Sequence, residues 1–208
     1  MDTVRRSPHW KKVVELVNCI TTYTKEAFDP TAPEISKLNI RDIAHALSLL
    51  CRANGHFPIF YSVAQHCLNC MNEAKARGYS QRVQLACLLH DATEAYMQDL
   101  PRPIKNQLVQ YNVIEERLLQ AIWSKWLDAP LTDEERKQVF EVDDAMLYNE
   151  FLCFMGQEII SPQVLKSQPV LETEPFEFVE QKMLQQFYRL TGINNNGTFV
   201  GVDWCKGQ

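Results

Sequence analysis

An apolar run that ends on three ionisable side chains constrains this chain more than anything else in it. Leu85-Ala86-Cys87-Leu88-Leu89 leads into His90-Asp91-Ala92-Thr93-Glu94-Ala95. Ala, Leu and Cys on nearly every side predict a buried helix. Buried ionisable groups need partners, because an unpaired one loses hydration at a cost on the order of several kcal/mol. A divalent cation is a partner that an imidazole and carboxylates can share. Positions 90, 91 and 94 fall on one surface of a helix, since residues three and four apart are neighbours. Two ligands and a proton-handling carboxylate are thus expected side by side.

The remaining composition permits such a core and narrows its setting. A length of 208 residues suits one sizeable domain, and 46% hydrophobic with 23% charged residues is ordinary for a soluble protein. The formal net charge of −5 argues against a dedicated nucleic-acid-binding domain. An anionic substrate therefore needs local help from a metal and from Arg or Lys. Seven cysteines, an odd count with no signal peptide ahead of them, point to reduced thiols and a cytoplasmic setting. No apolar run approaches the roughly 20 residues of a membrane helix.

Along the chain, helical spacing covers 10–23 and, after Asp29-Pro30, residues 40–53, with Asn54-Gly55 as a stop. Ser62 caps a helix to about Arg77, and Ser80 caps the helix that carries the opening stretch. Pro101 and Pro103 end it. Residues 104–127 read as one long amphipathic helix. Thr132-Asp133-Glu134-Glu135 is a capping box opening a helix to about Met155. Residues 161–175 read as loop, Phe176 to Leu190 as a last helix, and the tail from Asn194 as possible loose chain. No segment alternates with the period of a strand, which predicts an all-α domain spanning 1–208, with its core at about 40–155 and the last helix packed on it.

His90-Asp91 has company: Gln65-His66-Cys67 on the preceding helix, Glu94 and Asp99 downstream, and Asp143-Asp144 inside a later helix. Tyr61-Ser62-Val63-Ala64-Gln65-His66, then His90-Asp91-Ala92-Thr93-Glu94-Ala95, then Gln98-Asp99-Leu100-Pro101-Arg102-Pro103-Ile104-Lys105 resembles the HD-domain metal phosphohydrolases, in their bacterial and phage 5'-deoxynucleotidase branch. That branch reads S-V-A-E-H-S and H-D-A-x-E-x-x-x-G-D-L-P-x-P-x-K. The likeness covers roughly residues 40–150. Gln65 stands for Glu, Cys67 for Ser and Gln98 for Gly. None of these departures removes a ligand.

The resemblance implies a helical HD bundle in which His66, His90, Asp91 and Asp143 hold one divalent ion. A mixed N/O donor set suits Mn, Co, Fe or Mg more than thiolate-rich structural zinc. Asp144 is the rival for the last position. Aligning Glu141-Val142-Asp143 on the family's Q-A-D, and helical phase, favour Asp143. Glu94 matches the acid/base glutamate, against a plain surface Glu paired with a Lys. Asp99 matches the aspartate that lies against the sugar and helps reject a 2'-hydroxyl, or caps the Pro-rich turn, or both. Arg52 matches a phosphate-binding arginine, although the family's Arg-Trp pair is absent and Arg52-Ala53-Asn54-Gly55-His56 stands instead. His56 is a base- or phosphate-contacting group or an exposed loop histidine, and Lys105 a further positive charge or a solvated lysine.

His45 among apolar neighbours reads as a core histidine or one behind the site. Cys67 and Cys70 form a C-x-x-C without a second pair and in a helical setting, so they read as small buried hydrophobes. Trp123 and Trp126 read as core or interface packing.

The expected activity is hydrolysis of a deoxynucleoside monophosphate to nucleoside and phosphate. The alternative is a deoxynucleoside triphosphate triphosphohydrolase such as a dATPase, and a third reading is an HD scaffold that binds nucleotide or partner without turnover. A homo-oligomer is expected from the family, with the apolar faces of 104–127 available for it. Neither a stable nucleic-acid partner nor a membrane is expected.

Overall fold

The computed structural model describes residues 18–193. Among them the chain is predominantly helical, as its periodicity predicts. The elements are a two-residue hairpin, β1 (Ile20–Thr21) and β2 (Ala27–Phe28), then α1 (Ile40–Leu49), α2 (Val63–Ala76), α3 (Gln81–Leu89), α4 (Glu94–Met97), α5 (Arg102–Lys105), α6 (Val109–Trp126), α7 (Asp133–Met155) and α8 (Phe176–Thr191).

α2 and α3 form the centre. From Val63 to Met71 every residue of α2 is buried, as is every residue of α3 from Val83 on. α2 packs against α1, α3, α7 and α8, and α3 also meets α6, α7 and α8. The last described helix, α8, packs on the core through Val179, Met183, Phe187 and Leu190. The core also reaches outside 40–155 at its other end, where Phe28 and Leu38 are buried.

The helix starts follow their caps. Ser62 accepts from Gln65 N while the Gln65 side chain accepts from Ser62 N, a complete capping box. Gln65 Nε2 also donates to Glu172 O at 2.9 Å. An ionised Glu could cap but could not donate, which accounts for the amide here. Thr132 and Glu135 form the second capping box, and Ser80 accepts from Val83 N. α7 and α8 end on Gly156 and Gly192 in the left-handed conformation.

Several expected helices are corrected. Residues 10–17 lie outside the described residues, and the end of the 10–23 helix is instead β1, with Ile20 paired to Phe28 and Thr21 to Ala27. Thr24 holds this hairpin to α1 through its N–H and hydroxyl on Asp42. The 40–53 helix stops at Leu49. Arg52 N donates to Tyr61 O and Val63 N to Leu50 O, so the chain closes a short antiparallel bridge. Ala53, Asn54 and Gly55 then take three successive left-handed conformations, which no α-helix permits. The 104–127 helix is two, α5 and α6, interrupted at 106–108, because Asn112 Nδ2 and Leu108 N both take the Lys105 carbonyl.

The 161–175 segment is irregular, as expected, and is tied to α2. Glu73, fully buried, accepts from Lys166 N, Ser167 N and Ser167 Oγ and from Arg77 Nε. Burial pushes its carboxyl up, but these donors outweigh that and hold it below the ordinary value. Asn69 bonds both the carbonyl and the N–H of Val170. No helix among the described residues is long and apolar enough to cross a membrane.

Gln98 turns the chain out of α4 at φ 73° and ψ 154°. That conformation belongs to glycine and costs other residues about 1–3 kcal/mol. Glycine's extra chain entropy returns part of this, about 0.5–1 kcal/mol. Gln98→Gly is expected to stabilise the fold by about 1 kcal/mol and to raise the thermal midpoint by about 2–4 °C; an unchanged or lower midpoint in calorimetry contradicts the strain.

Candidate metal centre

Three elements bring the site together. His66 lies one turn into α2, His90 and Asp91 follow α3, and Asp143 lies midway along α7. His66 Nε2 is 3.2 Å from His90 Nε2 and 3.1 Å from Asp143 Oδ1. Asp91 Oδ2 is 3.3 Å from His90 Nε2 and 3.7 Å from His66 Nε2. The four side chains expected to converge do so. Asp144, the rival, is half exposed and pairs with Arg102 at 3.1 Å.

The helix that carries His90 does not continue through Glu94. His90 Nδ1 lies 2.7 Å from Cys87 O, the carbonyl that Asp91 N–H would use in a continuing helix. The chain tightens, with Ala92 N donating to Leu89 O and Glu94 N to Asp91 O. Such three-residue spacing eclipses i and i+3, so Asp91 and Glu94 still face the same cleft.

Each imidazole has one nitrogen occupied behind it. His90 Nδ1 donates to Cys87 O, and His66 Nδ1 sits 2.7 Å from Glu150 Oε1. Both Nε2 atoms therefore turn their lone pairs to the shared space, the arrangement that orients metal-binding histidines. Sequence reasoning did not assign Glu150. It is fully buried, accepts from the Tyr61 hydroxyl at 2.8 Å, and approaches Arg52 Nε at 3.5 Å. Its signal was its place seven residues after Asp143, on the same face of α7.

The charges fit a divalent ion. Asp91, Asp143 and Glu150 surround the space, with the buried Arg52 3.1 Å from Asp91 Oδ2 and 3.9 Å from Asp143 Oδ1, and the more exposed Arg102 3.4 Å from Asp143 Oδ2. Three carboxylates against one buried guanidinium and one exposed one leave the cage with an excess of negative charge. The protein's own protons respond. Burial opposes charge on His90, yet Asp91 holds it well above the ordinary imidazole value. Burial and Arg52 oppose charge on His66, but Glu150 and Asp143 raise it. Burial alone would raise Asp143; bonds from His66 and His90 hold it well below the usual carboxylate range.

A cleft of about 450 Å³ opens beside this cage. Glu94 and Asp99 line it, with Arg52, Lys105 and Arg102. Glu94 is 3% exposed and its Oε2 has no hydrogen-bond partner. Burial first, then Asp91 and Asp99, push its carboxyl well above the ordinary value. Burial also raises Asp99. Lys105 is committed to Glu115 at 2.7 Å and reaches Glu94 at 3.9 Å, so it is not the solvated lysine of the bland alternative. His56 lies exposed on the rim. The opposite wall is apolar, from Phe57, Leu147 and Phe151, with Phe57 and Phe151 ring centroids 5.1 Å apart. Leu147 and Phe151 follow Asp143 by four and eight residues, a periodicity not drawn on in the sequence reading.

Other residues fall outside the cage. His45 stacks on Tyr23 and pairs with Glu180 at 3.0 Å. Trp123 is buried and Trp126 packs edge-on against Phe187. Cys67 and Cys70 are buried as expected, but their thiols meet the site, Cys67 at 4.0 Å from His90 Nδ1 and Cys70 at 3.5 Å from His66 Nε2. Among the described residues, His66, Cys70, His90 and Asp143, and likewise Cys67, His90 and Asp91, could hold a metal ion.

No family model matches the chain. It is 44% identical over 87 residues to the uncharacterized protein YfdR of Escherichia coli K12, covering 42% of this chain and 46% of that one. It is 38% identical over 103 residues to an uncharacterized protein of Rhodobacter capsulatus, covering 47% and 50%. The chain thus spans about half the length of the curated relatives it matches.

Glu150 ties Tyr61, His66 and Arg52 together in a buried site. Glu150→Ala is expected to cost about 3–5 kcal/mol in denaturant melts, because a buried guanidinium and two donors lose their carboxylate. Divalent-ion affinity is expected to fall by about 10–100-fold. A wild-type midpoint together with wild-type affinity contradicts this role.

Proposed function

We propose that this protein is a divalent-metal-dependent phosphohydrolase of the HD type acting on deoxynucleotides, releasing phosphate from a deoxynucleoside monophosphate. The observation that supports it most is the convergence of His66, His90, Asp91 and Asp143 beside a cleft large enough for a nucleotide, which Asp91 and Asp143 line. These residues would hold the ion, drawn from Mn, Co, Fe or Mg by an N/O donor set. When bound, such an ion polarises a phosphoryl oxygen and acidifies water.

The chain's own residues supply the rest. Glu150 and the Cys87 carbonyl fix the two rings, so no reorganisation is needed when a substrate arrives. Arg52, held beside the cage by the bridge between Cys51 and Ser62, presents a permanent cation to phosphoryl oxygens. Glu94, with an unpartnered oxygen facing the cleft, is placed to move a proton between water and leaving group. Its raised proton affinity suits it to hold that proton near neutral pH. Asp99 faces the same cleft and is assigned to the sugar, where a carboxylate beside C2' disfavours a ribonucleotide. Lys105 adds charge, and His56 is placed at the rim for the base or a phosphate. Phe57 and Phe151 give the base an apolar wall.

Cleavage of a triphosphate at the same cage is the second reading, since the cleft is open and Arg102 stands at its mouth. A cytoplasmic homo-oligomer is the setting we favour. Val109 and Val113 on α6 are 73% and 53% exposed and supply an apolar face for a second copy.

The test is a screen of mono- and triphosphates, ribo and deoxy, with several divalent ions. Deoxynucleotide turnover is expected, lost in Asp91→Ala with helical circular dichroism retained. Asp99→Ala is expected to narrow the preference for deoxy over ribo substrates. Equal turnover by Asp91→Ala, or no turnover of any nucleotide, overturns the reading; indifference of the wild type to the 2'-position removes the role of Asp99.

A further inference from the structure

The reaction proposed above gives Cys70 nothing to do, yet its thiol faces the cage. Cys70 follows His66 by four residues on α2, so the two share a face. Its Sγ lies 3.5 Å from His66 Nε2, the nitrogen that faces His90 and Asp143. Sγ, one nitrogen of each histidine and an Asp143 oxygen all lie within 4.8 Å of one another. The separations among the other three are 3.1, 3.2 and 3.6 Å. An ion with bonds of about 2.0–2.1 Å to N and O and about 2.3 Å to S sets tetrahedral edges of roughly 3.3–3.6 Å. The sulfur's 3.5 Å to His66 Nε2 matches such an edge, and its distances to the other donors stay within 4.8 Å.

Cys67 is different. Its Sγ groups with His90 and Asp91 within 4.8 Å, but the histidine nitrogen it approaches, at 4.0 Å, is Nδ1, which the Cys87 carbonyl already occupies. The two thiols of the C-x-x-C thus have unequal relations to the cage.

We infer that Cys70 is a further donor to the ion and that the centre is a mixed imidazole, carboxylate and thiolate site. This rests on the reading of His66, His90 and Asp143 as metal donors. On binding, the S–H proton leaves to solvent and a sulfur lone pair forms the bond to the metal; nothing is oxidised or reduced. A soft donor favours Zn, Co and Fe(II) over Mg, which takes oxygen ligands. The expectation of an N/O-only site is narrowed accordingly.

The test is titration of the metal-stripped full chain with Co(II), followed by absorption. The wild type is expected to show visible cobalt bands together with a near-ultraviolet sulfur-to-cobalt charge-transfer band. Cys70→Ala is expected to lose the charge-transfer band and keep the visible ones, and Cys67→Ala to keep both. Cys70→Ser, closer in size, must behave as Cys70→Ala does, and serves where Ala fails to fold. Visible bands without charge transfer in the wild type, or charge transfer retained without Cys70, overturns the inference. Absence of every cobalt band overturns both this inference and the reading of the cage.

Discussion

The hydrogen bond between His66 and Glu150 is the contact on which the rest of the site depends. Both side chains are fully buried, and they lie on different helices, α2 and α7. Burial of either alone would be prohibitive. Together, with Tyr61 and Arg52 on the remaining carboxylate positions, they fix how α2 crosses α7. That crossing then sets Asp143 against His66 Nε2, and Arg52 against Asp91. The helix packing and the ligand geometry are one arrangement, since moving one ring would unpair groups on three elements.

The same burial creates an unbalanced charge. Carboxylates outnumber the guanidiniums of Arg52 and Arg102 that reach them, and the histidines gain proton affinity in response. A cation of charge two would take the place of those protons. Glu94, further along the cleft, moves opposite to Asp143: burial and its acidic neighbours raise its proton affinity, where the histidines lower that of Asp143. Neighbouring carboxylates thus differ in proton affinity from their surroundings alone, which is the basis for proposing separate roles for ligand and proton carrier.

Much of this was legible in the chain. Helix identities followed from caps that the structure forms as written, Ser62 with Gln65 and Thr132 with Glu135. His66, His90, Asp91 and Asp143 were singled out by the resemblance of their motifs to the HD phosphohydrolases, and they meet. The boundaries were less legible, for physical reasons. Ile20 and Thr21 sit in a strand because Phe28 and Ala27 pair with them and Asp42 holds Thr24 in the turn between, a tertiary preference that spacing does not encode. α3 ends early because the His90 ring takes the Cys87 carbonyl. The left-handed run at Ala53 and Asn54 had only Asn54-Gly55 to announce it. Glu150 and the thiol of Cys70 were missed because their meaning depends on the neighbouring helix. A glutamate in α7 and a cysteine in α2 look like an ordinary polar residue and an ordinary small apolar one until the two helices are crossed.

The central claim is that Asp143, and not its neighbour, completes a buried two-histidine cage for a divalent ion. Its most direct test is metal content after reconstitution and desalting, compared among the wild type, Asp143→Asn and Asp144→Asn. The account predicts one tightly held ion per chain in the wild type and in Asp144→Asn, and almost none in Asp143→Asn. Equal metal content in both variants, or a wild type that retains no ion, would contradict it.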